Sequence, residues 1–282
     1  MTTYGAVLAR GRARLAEAGV ESAEIDARVL LAAVADLDGA ALIGRSGEPV
    51  TPSCESIFDD HVMRRLAGEP VARILRYKEF WGLRIGIGPG VFVPRPETET
   101  LVDAVLRDVI RRGLSTLSIC DLGTGSGAIV IALLRELPKA RGLAVDICDD
   151  ALAVADSNAD MQGVGDRVTF VAGDFAQLPD EPFDVVVSNP PYVRSDVLAK
   201  LPTEVRDFDP ALALDGGRDG LAAYRVILGR AASLVATGGV LAMEVGFDQG
   251  DSVAAMCHEA GLKDVQTHPD LAGVPCVVMA RR

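Results

Sequence analysis

The sequence predicts an α/β protein: an open, largely parallel sheet with helices on both faces, preceded by a small all-helical region and a β-hairpin. Three observations predict it. Strand-like and helix-like stretches alternate from Leu117 to the C-terminus, the first of those strands runs into a glycine-rich turn, and residues 1–73 show helical periodicity only. Alternation of this kind builds a sheet whose ligands lie at the carboxyl ends of the strands, near the switch point.

Apolar Val7, Leu8 and Leu15 space a helix over Thr3 to Glu17. Ser22 is placed to cap a second helix carrying Ile25, Val29, Leu30, Leu31 and Val34. Thr51-Pro52 reads as a cap followed by proline at the first helical position, with the helix running to Leu66 and stopping at Gly68. A strand is expected from Glu79 to Ile87, a turn at Gly88-Pro89-Gly90, and a returning strand at Val91–Val93. Pro94-Arg95-Pro96 ends it, and a helix with Leu101, Val102 and Val105 starts near Glu97. Strands follow at Leu117–Leu122, Gly142–Ile147, Arg167–Val171, Phe183–Ser188, Gly239–Val245 and Val274–Ala280. Helices are expected at Ala128–Leu137, Asp150–Gln162, Gly220–Ala236 and Gln249–Ala260. The domain reading is 1–73 helical bundle, 74–96 hairpin linker and 97–282 α/β domain.

The net charge of −12 opposes a duplex-gripping surface, which must neutralise phosphates. Acidic residues also outnumber arginines in the first 70 residues, where lysine is absent, so no basic arm precedes the α/β domain. Cys54, Cys120, Cys148, Cys257 and Cys276 are odd in number and widely spaced. They form neither a disulfide framework nor, with three scattered histidines, a metal site. A cytoplasmic protein is expected: no signal peptide is evident, and no apolar run reaches the ~18 residues of a membrane span.

Asp121-Leu122-Gly123-Thr124-Gly125-Ser126-Gly127 closes one strand and opens a helix, so its backbone can wrap a ligand. With Ala128 it also fits the dinucleotide pattern G-x-G-x-x-A. Asp146, at the end of the next strand, can accept hydrogen bonds from two ribose hydroxyls. Together these indicate an adenosine-containing cofactor. Asp121 tilts the choice to S-adenosylmethionine: a carboxylate there suits the methionine ammonium, directly or through water, and repels a pyrophosphate. Asp174 and Phe175, after the third strand, offer an acceptor and a ring for adenine.

Val185–Ser188 runs into Asn189-Pro190-Pro191-Tyr192, the expected catalytic loop. Two prolines stiffen it and remove N–H donors, so the loop offers acceptors. The Asn189 side-chain oxygen and the Pro190 carbonyl can both accept from one NH2 group, and Tyr192 can stack on the flat group bearing it. An amide nitrogen is a poor nucleophile because its lone pair is delocalised. Two acceptors out of the amide plane favour a tetrahedral nitrogen aimed at a sulfonium methyl, and such positioning supplies up to about 7 kcal/mol or more.

These motifs resemble the peptide-chain release factor glutamine N5-methyltransferases. The resemblance covers nearly the whole chain. It rests on Glu69–Leu75, Glu79-Phe80-Trp81-Gly82-Leu83, Val93-Pro94-Arg95-Pro96-Glu97-Thr98-Glu99, the two loops above, Glu204-Val205, and Ala211 to Leu221 with its Gly216-Gly217-Arg218-Asp219-Gly220 run. Adenine-N6 DNA methyltransferases share the Asn-Pro-Pro-Tyr loop; the Pro-Arg-Pro-Glu-Thr-Glu segment and the late glycine run select the release-factor family. The resemblance implies a Rossmann-like class I S-adenosylmethionine-dependent methyltransferase domain with a seven-stranded sheet and a partner-binding helical domain. It implies S-adenosylmethionine as donor, S-adenosylhomocysteine as product, and class-1 release factors as substrate through the glutamine of their Gly-Gly-Gln motif. It carries cofactor contacts to Gly123–Gly127, Asp146, Phe175 and Asn189, and substrate contacts to Asn189–Tyr192.

Phe208-Asp209-Pro210 stands where the family commonly has Glu before Pro, and Gly273 lacks the arginine expected after it. Arg95, Glu97 and Glu99 are candidates for orienting the loop or tying the hairpin to the catalytic domain. The alternatives are a ribosomal-protein glutamine methyltransferase, which shares this architecture, and an adenine-N6 nucleic-acid methyltransferase. The latter needs a base-flipping channel and phosphate-binding surface, for which no added domain is visible. A binding module without catalysis is opposed by the intact loops. A dinucleotide oxidoreductase is opposed by Asp121 and the Asn189 loop.

Overall fold

The computed structural model describes residues 2–176 and 181–282. The chain forms two compact units, Met1–Tyr77 with Thr203–Phe208, and Lys78–Pro202 with Asp209–Arg282. Residues from Lys78 onward, expected as a linker, thus cluster with the α/β unit, while Thr203–Phe208, expected in the α/β domain, joins the helical one.

The first unit comprises α1 (Tyr4–Glu17), α2 (Ala23–Ala35), α3 (Gly39–Gly44), α4 (Pro52–Leu66) and α5 (Val71–Leu75). Caps fix three starts: Thr3, Asp38 and Thr51 accept from the backbone N–H three residues on. Val7, Leu15, Leu30, Leu31, Phe58 and Val62 pack with no exposure, which supplies the driving force that short helices lack alone. Ser22 precedes α2 without capping it; its hydroxyl donates instead to Asp26 at 2.7 Å. Asp26 also accepts from buried Arg65 at 2.7 Å, and Arg65 reaches Glu204 on the one-turn helix Thr203–Arg206. That pairing explains why a distant segment belongs to this unit.

The hairpin is tighter than its alternation suggests. Its strands are β1 (Tyr77–Phe80) and β2 (Leu83–Gly86), joined at Trp81-Gly82. Both turn residues have positive φ, 53° and 67°, as a type I′ turn needs. The strain at Trp81 is held by two bonds, backbone N–H to Glu99 at 2.8 Å and indole N–H to Glu136 at 2.9 Å. Val91 and Val93 are buried and Phe92 is half-buried, but the stretch pairs in no strand, contrary to the expected return strand. A 3-10 turn, Pro96–Thr98, then feeds α6 (Glu99–Arg111).

The sheet follows: β3 (Ser118–Leu122), α7 (Ala128–Glu136), β4 (Arg141–Asp146), α8 (Asp149–Met161), β5 (Val168–Ala172), β6 (Phe183–Ser188), α9 (Ala222–Gly229), β7 (Val235–Glu244), α10 (Gly250–Glu259), β8 (Lys263–Pro269) and β9 (Pro275–Arg281). Strand order is β5-β4-β3-β6-β7-β9-β8, parallel from β5 to β7 and antiparallel through β9 and β8. β8 escapes sequence reading because it is a polar, mostly exposed edge strand. The expected helix Gly220–Ala236 breaks at Arg230 into α9 and a single turn, Ala231–Leu234, and Val235 already belongs to β7.

Alternate residues of the central strands fill two cores. Ile119, Val185 and Val187 share one with α6 and α7, while Cys120, Leu122 and Val186 share the other with α9 and α10. The chain goes from β3 outward to β5 and returns to β6, so the switch point lies between β3 and β6.

Candidate active site

Leu122 and Ser188 are register partners on β3 and β6. The glycine loop and the Asn189 loop therefore leave adjacent strands side by side at the switch point. The Ser188 hydroxyl locks that exit by donating to the Leu122 carbonyl at 2.7 Å. A cavity of about 270 Å³ opens there. Its wall takes Gly123–Ser126 from the glycine loop, Asp146–Cys148 after β4, Gly173–Phe175 after β5, and Asn189, Pro191 and Tyr192 after β6. Gly90, Phe92, Pro94 and Thr98, the start of α7 at Ala128-Ile129, and the stretch Pro210–Leu214, apart from Ala211, complete it.

The glycine loop is tied down by Gly123 N–H and Thr124 N–H, which both donate to the Val145 carbonyl. Gly123, Gly125 and Gly127 all have positive φ, and Gly127 ends the loop at the start of α7 outside the cavity wall. The Phe175 ring lies over Gly123, where an added Cβ would stand 3.2 Å from it. Asp146 accepts from Gly125 N–H at 2.8 Å and Cys148 N–H at 3.0 Å, so it braces the loop while lining the cavity. A carboxylate has about four lone-pair directions, which leaves capacity for hydroxyl donors. Asp174 accepts from Ala176 N–H through Oδ1 at 2.8 Å.

Asp121 is fully buried behind the wall rather than part of it. Its Oδ2 accepts from the Thr124 hydroxyl at 2.7 Å. Its Oδ1 has no hydrogen-bond partner among the described residues; the Val130 amide steadies the charge without meeting hydrogen-bond geometry. Burial raises this carboxyl to about 7, the Asp146 charge adds to the rise, and Thr124 and Val130 oppose it.

On the other loop, Asn189 Nδ2 donates to the Thr98 hydroxyl at 3.3 Å. Pro190 is buried and its ring is not in the wall. The Tyr192 hydroxyl donates to Glu244, the last residue of β7, at 3.4 Å. Burial first, then the nearby Glu244 charge, raises the Tyr192 phenol above its usual range, so it stays protonated. Gln249 donates to the carbonyls of Tyr192, at 3.0 Å, and Gly220. Val193 exchanges backbone bonds with Leu214 and Gly216. A Cβ at Gly216 would stand 2.8 Å from both the Pro191 oxygen and the Tyr192 Cα, so the late glycine run is a backing plate for the loop.

Thr98, Glu244 and Gln249 were not singled out as site residues from sequence. The signal for Glu244 was an acid inside the apolar run Val240–Val245. Of the acidic-segment candidates, Glu99 holds Trp81, and Arg95 pairs with fully buried Asp209 at 2.7 Å while stacking on Phe92 at 4.8 Å. Asp209 thus fills a role at the position where glutamate was expected.

The PrmC N-terminal domain family matches residues 6–75, and a methyltransferase domain family matches residues 114–266. A release factor glutamine methyltransferase of Bradyrhizobium diazoefficiens is 45% identical, covering 96% of this chain and 92% of that protein. One of Rhodospirillum rubrum is 42% identical, covering 99% of this chain and 85% of that protein. Among solved structures, the hMettl16 catalytic domain in complex with MAT2A 3′UTR hairpin 6 aligns with a TM-score of 0.59 at 17% identity, covering 74% of this chain and 80% of that one, a likeness of fold alone. A class I methyltransferase fold, both domain matches and full-length similarity converge: the chain belongs to the release factor glutamine methyltransferase family.

Proposed function

We propose that this enzyme transfers the methyl group of S-adenosylmethionine to the side-chain amide nitrogen, N5, of the glutamine in the Gly-Gly-Gln motif of class-1 peptide chain release factors. The observation that carries the reading is the placement of Asn189. Its Nδ2 is engaged by Thr98, which leaves Oδ1 as the acceptor end, in a cavity shared with the glycine loop.

The residues fit the donor. Gly123–Ser126 supply a close backbone, Asp146 accepts ribose hydroxyls, and Asp174 and Phe175 serve the adenine. Buried Asp121 Oδ1 is an acceptor in search of a donor, and an ammonium linked directly or through water satisfies it. The donor supplies an electrophilic methyl on a sulfonium and leaves as S-adenosylhomocysteine.

Asn189 Oδ1 and the Pro190 carbonyl accept from the substrate NH2 and pull its hydrogens out of the amide plane, which returns the lone pair to nitrogen. Tyr192 and Pro191 pack beside the flat amide. An N–C bond forms as the C–S bond breaks, and the nitrogen releases one proton to solvent. No strong base is needed, and the protonated Tyr192 phenol is not one. The N-terminal helices, residues 1–73, hold the protein substrate in this reading.

The test is labelled S-adenosylmethionine with a purified class-1 release factor, beside a copy whose Gly-Gly-Gln glutamine is changed. Label on the intact factor alone is expected. No label on it, with label on a ribosomal protein or on adenine in nucleic acid, replaces the substrate.

A further inference from the structure

Glu244 is only 3% exposed and forms no part of the cavity wall, yet it stands beside the Asn189 loop. Met243 on β7 is the register partner of Ser188 on β6, so Glu244 comes level with Asn189. One carboxylate oxygen accepts from the Tyr192 hydroxyl, and the other, Oε2, has no hydrogen-bond partner among the described residues. Thr98 and Asn189 flank the same carboxyl and stabilise its charge.

A side-chain amide has a donor end and an acceptor end of nearly equal shape. A hydroxyl alone cannot choose between them, because Thr98 Oγ1 both donates and accepts. Ionised, as it is above about pH 7, the Glu244 carboxylate only accepts, and the amide end turned to the Thr98–Glu244 side is then Nδ2. The Nδ2 to Thr98 bond at 3.3 Å has that sense. Oδ1 is then the end available to the substrate nitrogen.

We propose that Glu244 is a positioning residue that, with Thr98, sets the flip of the Asn189 amide, so that Oδ1 rather than Nδ2 faces the nitrogen to be methylated. The inference rests on the methyl-transfer reading above and deepens it. The burial that raises the Glu244 carboxyl to about 7 is opposed by Thr98, Tyr192 and Asn189, the groups it is assigned to orient, while Glu97 adds to the rise. The other titratable neighbours are Tyr224, whose hydroxyl donates to the Glu244 backbone carbonyl, and Cys276.

The experiment measures methylation of a class-1 release factor by the full chain and its Glu244→Ala, Glu244→Gln and Thr98→Val variants, with S-adenosylmethionine affinity by calorimetry. Glu244→Ala is expected to lower kcat by about tenfold or more, with cofactor Kd within about twofold. Thr98→Val should behave likewise. Glu244→Gln keeps the volume and one acceptor but adds a donor end, so it should recover part of the lost rate and stay below wild type. It also stands in if the alanine variant does not fold. Wild-type kcat in Glu244→Ala, or in both Glu244→Gln and Thr98→Val, overturns the proposal. So does a loss of kcat matched by an equal loss of cofactor affinity, which would mean a collapsed site. A wild-type enzyme inactive on release factor instead removes the functional reading, and this inference with it.

Discussion

Arg95 donates to Asp209 at 2.7 Å and so ties the segment before α6 to the lip of the cavity that Pro210, Leu212, Ala213 and Leu214 line. The pair is lopsided: the Asp209 side chain is fully buried and that of Arg95 is 32% exposed. Removing Arg95 strips a countercharge from a buried carboxylate, whereas removing Asp209 leaves a guanidinium able to swing into water. Arg95→Ala should therefore destabilise more than Asp209→Ala, by about 1–3 kcal/mol against a smaller loss. Urea unfolding of both variants checks this, and equal or reversed losses would refute the asymmetry.

Asp121 makes stability and cofactor affinity depend on pH with opposite signs. Burial chiefly, and Asp146 next, hold its proton to about pH 7, while in the unfolded chain it leaves near pH ~4. Between those values the folded state binds the extra proton, so this group's contribution to stability falls as pH rises from about 4 to about 7 and is level above. Other carboxylates, such as Asp219, lowered to about 2 chiefly by its bond to Arg225, slope the other way at lower pH, so a difference is measured. Asp121→Asn lacks the penalty: its Tm minus that of wild type should grow from about pH 5 to about pH 8. Ionised Asp121 is also the form that accepts an ammonium. Wild-type affinity for S-adenosylmethionine should tighten over about pH 6 to 8, and that of Asp121→Asn should not. A pH-independent gap in both readouts would remove Asp121 from the titration.

What the sequence disclosed follows from which features are local. Phe183–Ser188 and Ala128–Glu136 are apolar, buried and bounded by turn residues, so their limits could be read within a residue. β8 lies at an edge, and its side chains carry almost no alternation. The Trp81-Gly82 turn hid inside an alternation that continues through it, since a two-residue turn preserves the period. Within the site, the glycine loop and the Asn189 loop are legible in the sequence as loops. Thr98 in the wall, and Glu244 and Gln249 behind it, are not: they gain meaning from pairing across 91, 52 and 57 residues of chain. Asp121 was recognised, but its position behind the wall depends on the Thr124 hydroxyl turning back to it.

Gly216 is held to glycine by contact. Its added Cβ would meet backbone atoms of Pro191 and Tyr192 at 2.8 Å, and backbone cannot rotate out of the way as a side chain end can. Gly216→Ala should displace the Asn189–Tyr192 loop by a few tenths of an ångström or more. Since misplacement near 1 Å costs up to about 10²-fold in rate, kcat should fall by about tenfold or more. The glycine loop lies on β3 and not against Gly216, so cofactor Kd should stay within about twofold of wild type. Single-turnover kinetics with calorimetry separates the two, and an unchanged kcat would show that the loop tolerates the shift.

Asp146 and Asn189 share one cavity but are assigned to different steps, and that separation can be measured. Asn189→Ala removes an acceptor used when the substrate nitrogen leaves its plane, so it should lower kcat by about 10²-fold. Cofactor Kd should change far less, because Asn189 is one contact among many at that wall. Asp146→Ala should do the reverse. Hydrogen bonds to a charged acceptor are worth about 1.5–3 kcal/mol, which corresponds to about 10- to 100-fold in cofactor Kd. Part of that loss has a second origin, since Asp146 also accepts from Gly125 and Cys148 N–H and the loop relaxes without it. Asp146→Asn distinguishes the two: its remaining oxygen can keep one backbone bond but cannot serve both the loop and two hydroxyls. Its affinity should fall between wild type and Asp146→Ala. If Asn189→Ala weakened cofactor binding as much as Asp146→Ala does, the two loops would form one binding unit, and the division between holding the donor and presenting the amide would fail.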